Sequence, residues 1–353
     1  MENDRLIHWD LLRIISSFFV MLIHVSLSNW NNVQPITYEW NVFNIYCSIS
    51  RFSVPIFIMI SGMFMLDEKK NITIKIVFKN YLFHIVITFV FWSIIYSLFW
   101  GLYKYISNGY ILNNDILLNV TKQLIIGRGH MWFLWMLGIL YVLTPLLKPI
   151  CTEKKITFYY IKLWTIFGIL LYSMQNSFKI QIISIFTNLM NNYFVLGYVG
   201  YYILGYYLNR YPPLKNNRNI IYIFGAIGLF ITIIGSKVIS QSQGIAKTYF
   251  YDYLTPNVLA TSLAIFVLFK NIESKVYFSK AISKIITKLS RLSYGAYLVH
   301  LLVMLTLEKI TSVNTLSFNA VFSVPLITTC VFIISYIIVF LISKIPILKN
   351  IAL

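Results

Sequence analysis

Apolar runs of about 17 to 23 residues, each bounded by a polar or turn-forming cluster, succeed one another along the chain. They fall near residues 9 to 29, 44 to 66, 79 to 100, 132 to 147, 158 to 175, 193 to 209, 219 to 236, 254 to 270, 292 to 308 and 321 to 343. A run of this length crosses a hydrocarbon core as a helix, because a helix closes its backbone hydrogen bonds within itself. The pattern predicts an all-α integral membrane protein, a bundle of about ten transmembrane helices forming one domain over residues 1–353. With 58% hydrophobic and 11% charged residues and a mean hydropathy of +0.73, the composition leaves no room for a large soluble domain.

A formal charge of +18 raises the question of nucleic acid, but the basic residues lie in short loops and form no continuous stripe or reader motif. Topology explains them better. Of the 29 Lys and Arg, nineteen fall in one set of alternate loops and seven in the other, with Arg13, Arg51 and Lys162 inside apolar runs. The positive-inside rule then places both termini in the cytoplasm, which an even number of crossings also requires. The stretch 101 to 131 is expected as the longest extramembrane loop, on the opposite side. The acidic start MENDRLIHWD and the bilayer-length run after it, with no small-residue cleavage site, predict that the first helix is retained. Cys47, Cys151 and Cys330 form no CxxC and no metal-ligand spacing, so neither a disulfide framework nor a metal site is expected.

Two ionisable residues bracket the first run, Arg13 and His24 in RIISSFFVMLIH. Eleven residues of helix bring them to one face, about 16 Å apart along the axis. Asp10 and Ser17 lie at i−3 and i+4 from Arg13, so the same face reads as a polar stripe of Asp10, Arg13, Ser17 and His24. Charges in hydrocarbon cost several kcal/mol, so the stripe is expected to face protein or a water-filled cavity. In the second run Arg51 comes out at a depth similar to that of His24. Pro55 leaves the Arg51 carbonyl without its helical donor and favours a kink there. Each residue alone also has a plain reading, Arg51 snorkelling outward and His24 bonding between helices. The pair at matched depth favours function.

Other polar residues are less constrained. His130 in GHMWFLW stands at the mouth of the fourth run, fit either to meet a substrate or to join an interfacial aromatic belt. His300 in SYGAYLVH is expected to pack beside Tyr297, and His84 to be structural. The lysines of DEKKNITIKIVFK suit phosphates and anionic headgroups equally. A face with positive charge at its cytoplasmic end and an imidazole near its outer end has the polarity of a coenzyme A thioester threaded lengthwise. Histidine is the usual general base near neutral pH, and a guanidinium can stabilise the oxyanion formed when a hydroxyl attacks a thioester.

The blocks WDLLRIISSFFVMLIH, SRFSVPIFIMISGMFM, HMWFLWMLGILYVLTPLL and LSYGAYLVHLL, in this order over nearly the whole chain, resemble the acyltransferase family 3 membrane proteins. The resemblance is strongest to the branch that O-acetylates bacterial surface polysaccharides such as enterobacterial common antigen. The family signature, a basic residue and a histidine separated by ten residues on the first helix, is filled by Arg13 and His24. The resemblance implies His24 as the catalytic histidine, with Arg51 and His130 matching further family positions. It implies acyl-CoA, first of all acetyl-CoA, as donor, and the polar stripe puts Asp10, Arg13 and Ser17 on the path of such a donor. A surface glycan or lipid-linked sugar would be the acceptor, and the bacterial cytoplasmic membrane the location. Many members carry an Arg-x-x-Arg pair at the start of the third helix. Here Lys75 and Lys79 stand at a different spacing and are the donor-phosphate candidates. No metal and no nucleic acid is expected; membrane lipids are obligate neighbours, and a homo-oligomer is compatible with the chain. Two other readings stay open: a transporter or flippase for a polysaccharide intermediate, and a membrane module of an amino-acid acyltransferase or racemase.

Overall fold

The computed structural model describes residues 7–107, 109, 114–174, 197–273 and 276–352. The described residues are helical, with no strand among them. In chain order the helices are α1 (Ile7–Leu27), α2 (Tyr38–Ser50), α3 (Ser53–Met65), α4 (Ile74–Ile106), α5 (Asn114–Ile126), α6 (Trp132–Thr152), α7 (Lys154–Met174), α8 (Val199–Arg210), α9 (Lys215–Gln243), α10 (Pro256–Ile272), α11 (Lys280–Thr311), α12 (Ala320–Ile342) and α13 (Pro346–Ala352). Nine spans are long and apolar enough to cross a membrane among the described residues, with α2 and α3 counting together as one and α5 running into α6. The sixth expected run is represented by α8, only 12 residues long, and its first part falls within 175–196, outside the described residues. The stretch read as a long outer loop is corrected: α4 continues to Ile106, and α5 spans Asn114–Ile126 within it.

The outward faces explain why these helices need lipid. On α4 the residues Val86, Val90, Ile94, Leu98 and Leu102 are all exposed, a stripe at i, i+4 that only an apolar solvent would cover. Facing inward, helices approach closely through small residues, since lipid supplies no hydrophobic drive for helix association. At the α3–α8 crossing a Cβ on Gly62 would lie 1.9 Å from the Tyr202 carbonyl oxygen, and one on Gly205 would lie 2.0 Å from that of Met59. Neither position has space for a side chain.

Helices α1 and α11 run parallel. Ser290 Oγ donates to Asp10 Oδ1 at 2.7 Å near their starts, and Asn29 Nδ2 donates to Thr315 Oγ1 at 2.9 Å beyond their far ends. Helix α12 returns antiparallel, and α13 folds back so that Trp92 Nε1 of α4 donates to the Ala352 carbonyl at 3.1 Å. Both ends of the described chain therefore lie at one end of the bundle. That end is rich in lysine: Lys148 Nζ donates to the Asp67 carbonyl at 2.9 Å, Lys270 pairs with Glu273 at 2.7 Å, and Arg210 reaches Glu68 at 3.5 Å.

Candidate active site

Five elements close around a cavity of about 610 Å³, within the range of small-molecule sites. Helix α1 contributes Arg13, Val20, Ile23, His24 and Leu27. Taking about 100° per residue, these side chains occupy an arc from about 80° on one side of Arg13 to about 20° on the other. Asp10 and Ser17 fall at about 60° and 40° on that second side, just past the edge of the arc. They do not line the cavity: Asp10 is buried against Ser290 of α11, and Ser17 is buried beside the Tyr336 hydroxyl of α12. Along the expected stripe, Arg13 and His24 lie on the cavity and Asp10 and Ser17 in the packing beside it.

The break between α2 and α3 positions Arg51. Pro55 cannot donate to the Arg51 carbonyl, and the helix parts at Arg51 and Phe52. The guanidinium does not snorkel outward. It is 9% exposed and lines the cavity, with its carbon 4.4 Å from the ring centre of Tyr251 and 5.8 Å from that of Tyr253. Nη2 donates to Cys47 Sγ at 2.9 Å, while Nε has no partner among the described residues. A cation held by ring faces, a thiol and the Tyr253 hydroxyl, with no carboxylate paired to it among the described residues, keeps its charge available to a ligand.

Three histidines meet on the wall of the cavity and behind it. The His24 and His300 rings are 4.9 Å apart between centres, His130 and His300 5.4 Å, and His24 and His130 6.4 Å. His130 stands on the turn Gly129–Met131 that starts α6, buried, with Nε2 3.3 Å from the Leu298 carbonyl and Nδ1 unpaired among the described residues. His300 is fully buried; Nδ1 donates to the Tyr297 carbonyl, and Nε2 is left without a partner among the described residues. The Tyr297 hydroxyl in turn donates to the His130 carbonyl, tying α11 to the turn. Among the described residues no group of three His, Cys, Asp or Glu is arranged to hold a metal ion.

Toward the lysine-rich end the cavity is lined by Arg13, Ser290 and Arg291, and by Asn80, Tyr81 and His84 of α4. Asn80 and Tyr81 sit in a π-helical stretch, Val77–Leu82, the kind of irregular turn that often marks functional sites. Arg13 lies 4.9 Å over the ring of Phe64, and Lys70 Nζ lies 5.1 Å over the same ring. Burial lowers the Lys70 ammonium from its ordinary value, with Asp67 opposing and Arg13 and Lys148 adding to the shift. Lys75 and Lys79 are exposed and line neither this cavity nor the one beside it. Sequence reading missed His84, Ser290, Arg291, Tyr294 and Tyr253 as cavity residues, and gave His300 only a packing role. One signal was there: 290, 293, 294 and 297 recur at helical spacing on α11 as Ser, Ser, Tyr and Tyr, with Arg291 beside the first.

A multi-pass helical membrane protein with a titratable, cation-bearing pocket sunk between its helices is the class that this fold and site define. The chain belongs to the acyltransferase domain family, which matches residues 6–344, and it is a membrane acyltransferase. No curated protein and no solved structure matches it.

Proposed function

We propose that the protein is an O-acyltransferase that moves an acyl group, first of all acetyl, from cytoplasmic acyl-CoA to a hydroxyl of a cell-surface polysaccharide or lipid-linked glycan in the bacterial cytoplasmic membrane. The observation that carries the reading is one cavity lined by His24, Arg51 and His130 toward one end and by Arg13 and Arg291 toward the other. With the lysine-rich end in the cytoplasm, as the positive-inside rule requires, donor and acceptor meet from opposite faces and neither has to cross.

In this reading His24 removes the proton from the acceptor hydroxyl as its oxygen attacks the thioester carbon. Arg51 faces the oxyanion that forms, a buried cation already in position and needing no reorganisation. Collapse breaks the carbon–sulfur bond, and the proton held by His24 passes to the leaving thiolate. The products are an O-acyl sugar and free CoA, with atoms and charge balanced. His130 lines the same wall, where it can bond the acceptor. The resemblance to polysaccharide O-acetyltransferases supports a glycan acceptor and an acetyl group.

The test is mass spectrometry of the surface glycan from deletion, complemented and His24→Ala strains. The deletion and the His24→Ala strain are expected to lose the same acyl ester, with the variant inserted at normal abundance. Wild-type ester content in the variant overturns the role of His24. Movement of glycolipid between leaflets by the purified protein without acyl-CoA favours a transporter instead.

A further inference from the structure

A second chamber of about 670 Å³ adjoins the first at the lysine-rich end. The two share Asn80, His84 and Arg291 as common wall. Its remaining polar lining is Lys288 of α11, Ser343 and Lys344 after α12, and Lys349 and Asn350 of α13. Four cations from three elements thus converge, and among the described residues no carboxylate lines the chamber. None of the four is in an ion pair among the described residues. Lys288 and Lys344 lie on the ring of Phe340, at 4.4 and 5.1 Å from its centre, which limits where their ammonium groups can go. The wall formed by α13 is held in place by the Trp92 bond to the Ala352 carbonyl.

Uncompensated positive charge of this density in a concave site calls for a polyanion, and its carriers are hydrogen-bond donors suited to phosphate. We propose that the second chamber seats the phosphates of the acyl donor, the diphosphate and ribose phosphate of acyl-CoA, while its acyl arm passes Asn80, His84 and Arg291 into the first cavity. The proposal rests on the acyl-CoA reading above and assigns to it residues other than Lys75 and Lys79. The geometry suits an arm: along α11, Arg291 lies about 14 Å and Lys288 about 18 Å from the level of His300, whose ring touches His24. The same phosphate chemistry could be met by an anionic lipid headgroup. The wall shared with the cavity that holds the histidines favours the donor, because a headgroup would have no need of that neighbour.

The experiment uses the full chain in nanodiscs and measures binding of CoA, S-acetylpantetheine and phosphatidylglycerol to wild type, Lys288→Gln, Lys349→Gln and the charge-keeping Lys288→Arg. Each lost charge is expected to weaken CoA binding about tenfold, the effect of one charge-assisted hydrogen bond. S-acetylpantetheine, which has no nucleotide, is expected to bind all variants alike, and Lys288→Arg to stay near wild type. Thermal unfolding of each variant confirms that the substitutions leave the fold intact. CoA binding that is strong and equal in all variants overturns the chamber assignment and leaves the acyl-CoA reading standing. Failure of wild type to bind CoA sinks that reading and the proposal with it. Charge variants that lose phosphatidylglycerol but keep CoA identify a lipid site and overturn the donor assignment.

Discussion

Replacement of Arg51 by methionine separates a working cation from a structural one, because the two roles predict opposite balances of stability and activity. An arginine within a transmembrane helix costs up to about 2.5–3.5 kcal/mol to insert. The observed compensation is modest: two ring faces at 4.4 and 5.8 Å, a thiol acceptor at 2.9 Å, a hydrogen bond to the Tyr253 hydroxyl, and no carboxylate among the described residues. A desolvated cation–π contact contributes about 2 kcal/mol, so cost and compensation nearly cancel. Methionine fills much of the same volume and adapts to irregular gaps. The expected change in stability for Arg51→Met is therefore within about 1 kcal/mol of zero, either sign. Activity is a different matter. Loss of one preorganised group facing an oxyanion lowers kcat by about 10²–10³-fold, or about 2.7–4 kcal/mol. The assay pairs thermal unfolding in detergent, monitored by tryptophan fluorescence, with acyl transfer normalised to folded protein. A loss of more than about 2 kcal/mol in stability with transfer per folded molecule unchanged would refute the reasoning, since it would make Arg51 part of the scaffold.

Two further outcomes are set by the packing. Gly205→Ala places a methyl group 2.0 Å from the Met59 carbonyl oxygen, so α3 and α8 have to separate. About 1–3 kcal/mol of destabilisation is expected, read as a lower midpoint of thermal unfolding, with Gly205→Leu worse than Gly205→Ala; equal midpoints would disprove the tight crossing. Ser290→Ala removes the hydroxyl that donates to buried Asp10 at 2.7 Å and is expected to cost about 1–3 kcal/mol, while Ser290→Thr, which keeps the hydroxyl, loses less. The same unfolding measurement checks it, and a wild-type midpoint for Ser290→Ala would show that the α1–α11 contact does not depend on this bond.

What the sequence determined by itself is what a single helix determines. Run length set the class of solvent, the loop lysines set the alternation of ends, and the spacing of Arg13 and His24 put them on one face, because rise and rotation per residue are fixed by the local backbone. The same arithmetic puts Asp10 and Ser17 on that face within about 60°, and only the neighbouring helices decide where the cavity stops and packing begins. The meeting of His24, His130 and His300 could not be read from the chain, since more than 100 positions separate one from the next and nothing in an apolar run says which helix it will touch. Lys75 and Lys79 stood out in the sequence by their nearness in a basic run, whereas Lys288, Lys344 and Lys349 look like ordinary loop lysines until α11, α12 and α13 bring them round one chamber. Local hydrogen bonding fixes helices one at a time; side-chain packing between helices distant in the chain fixes the site.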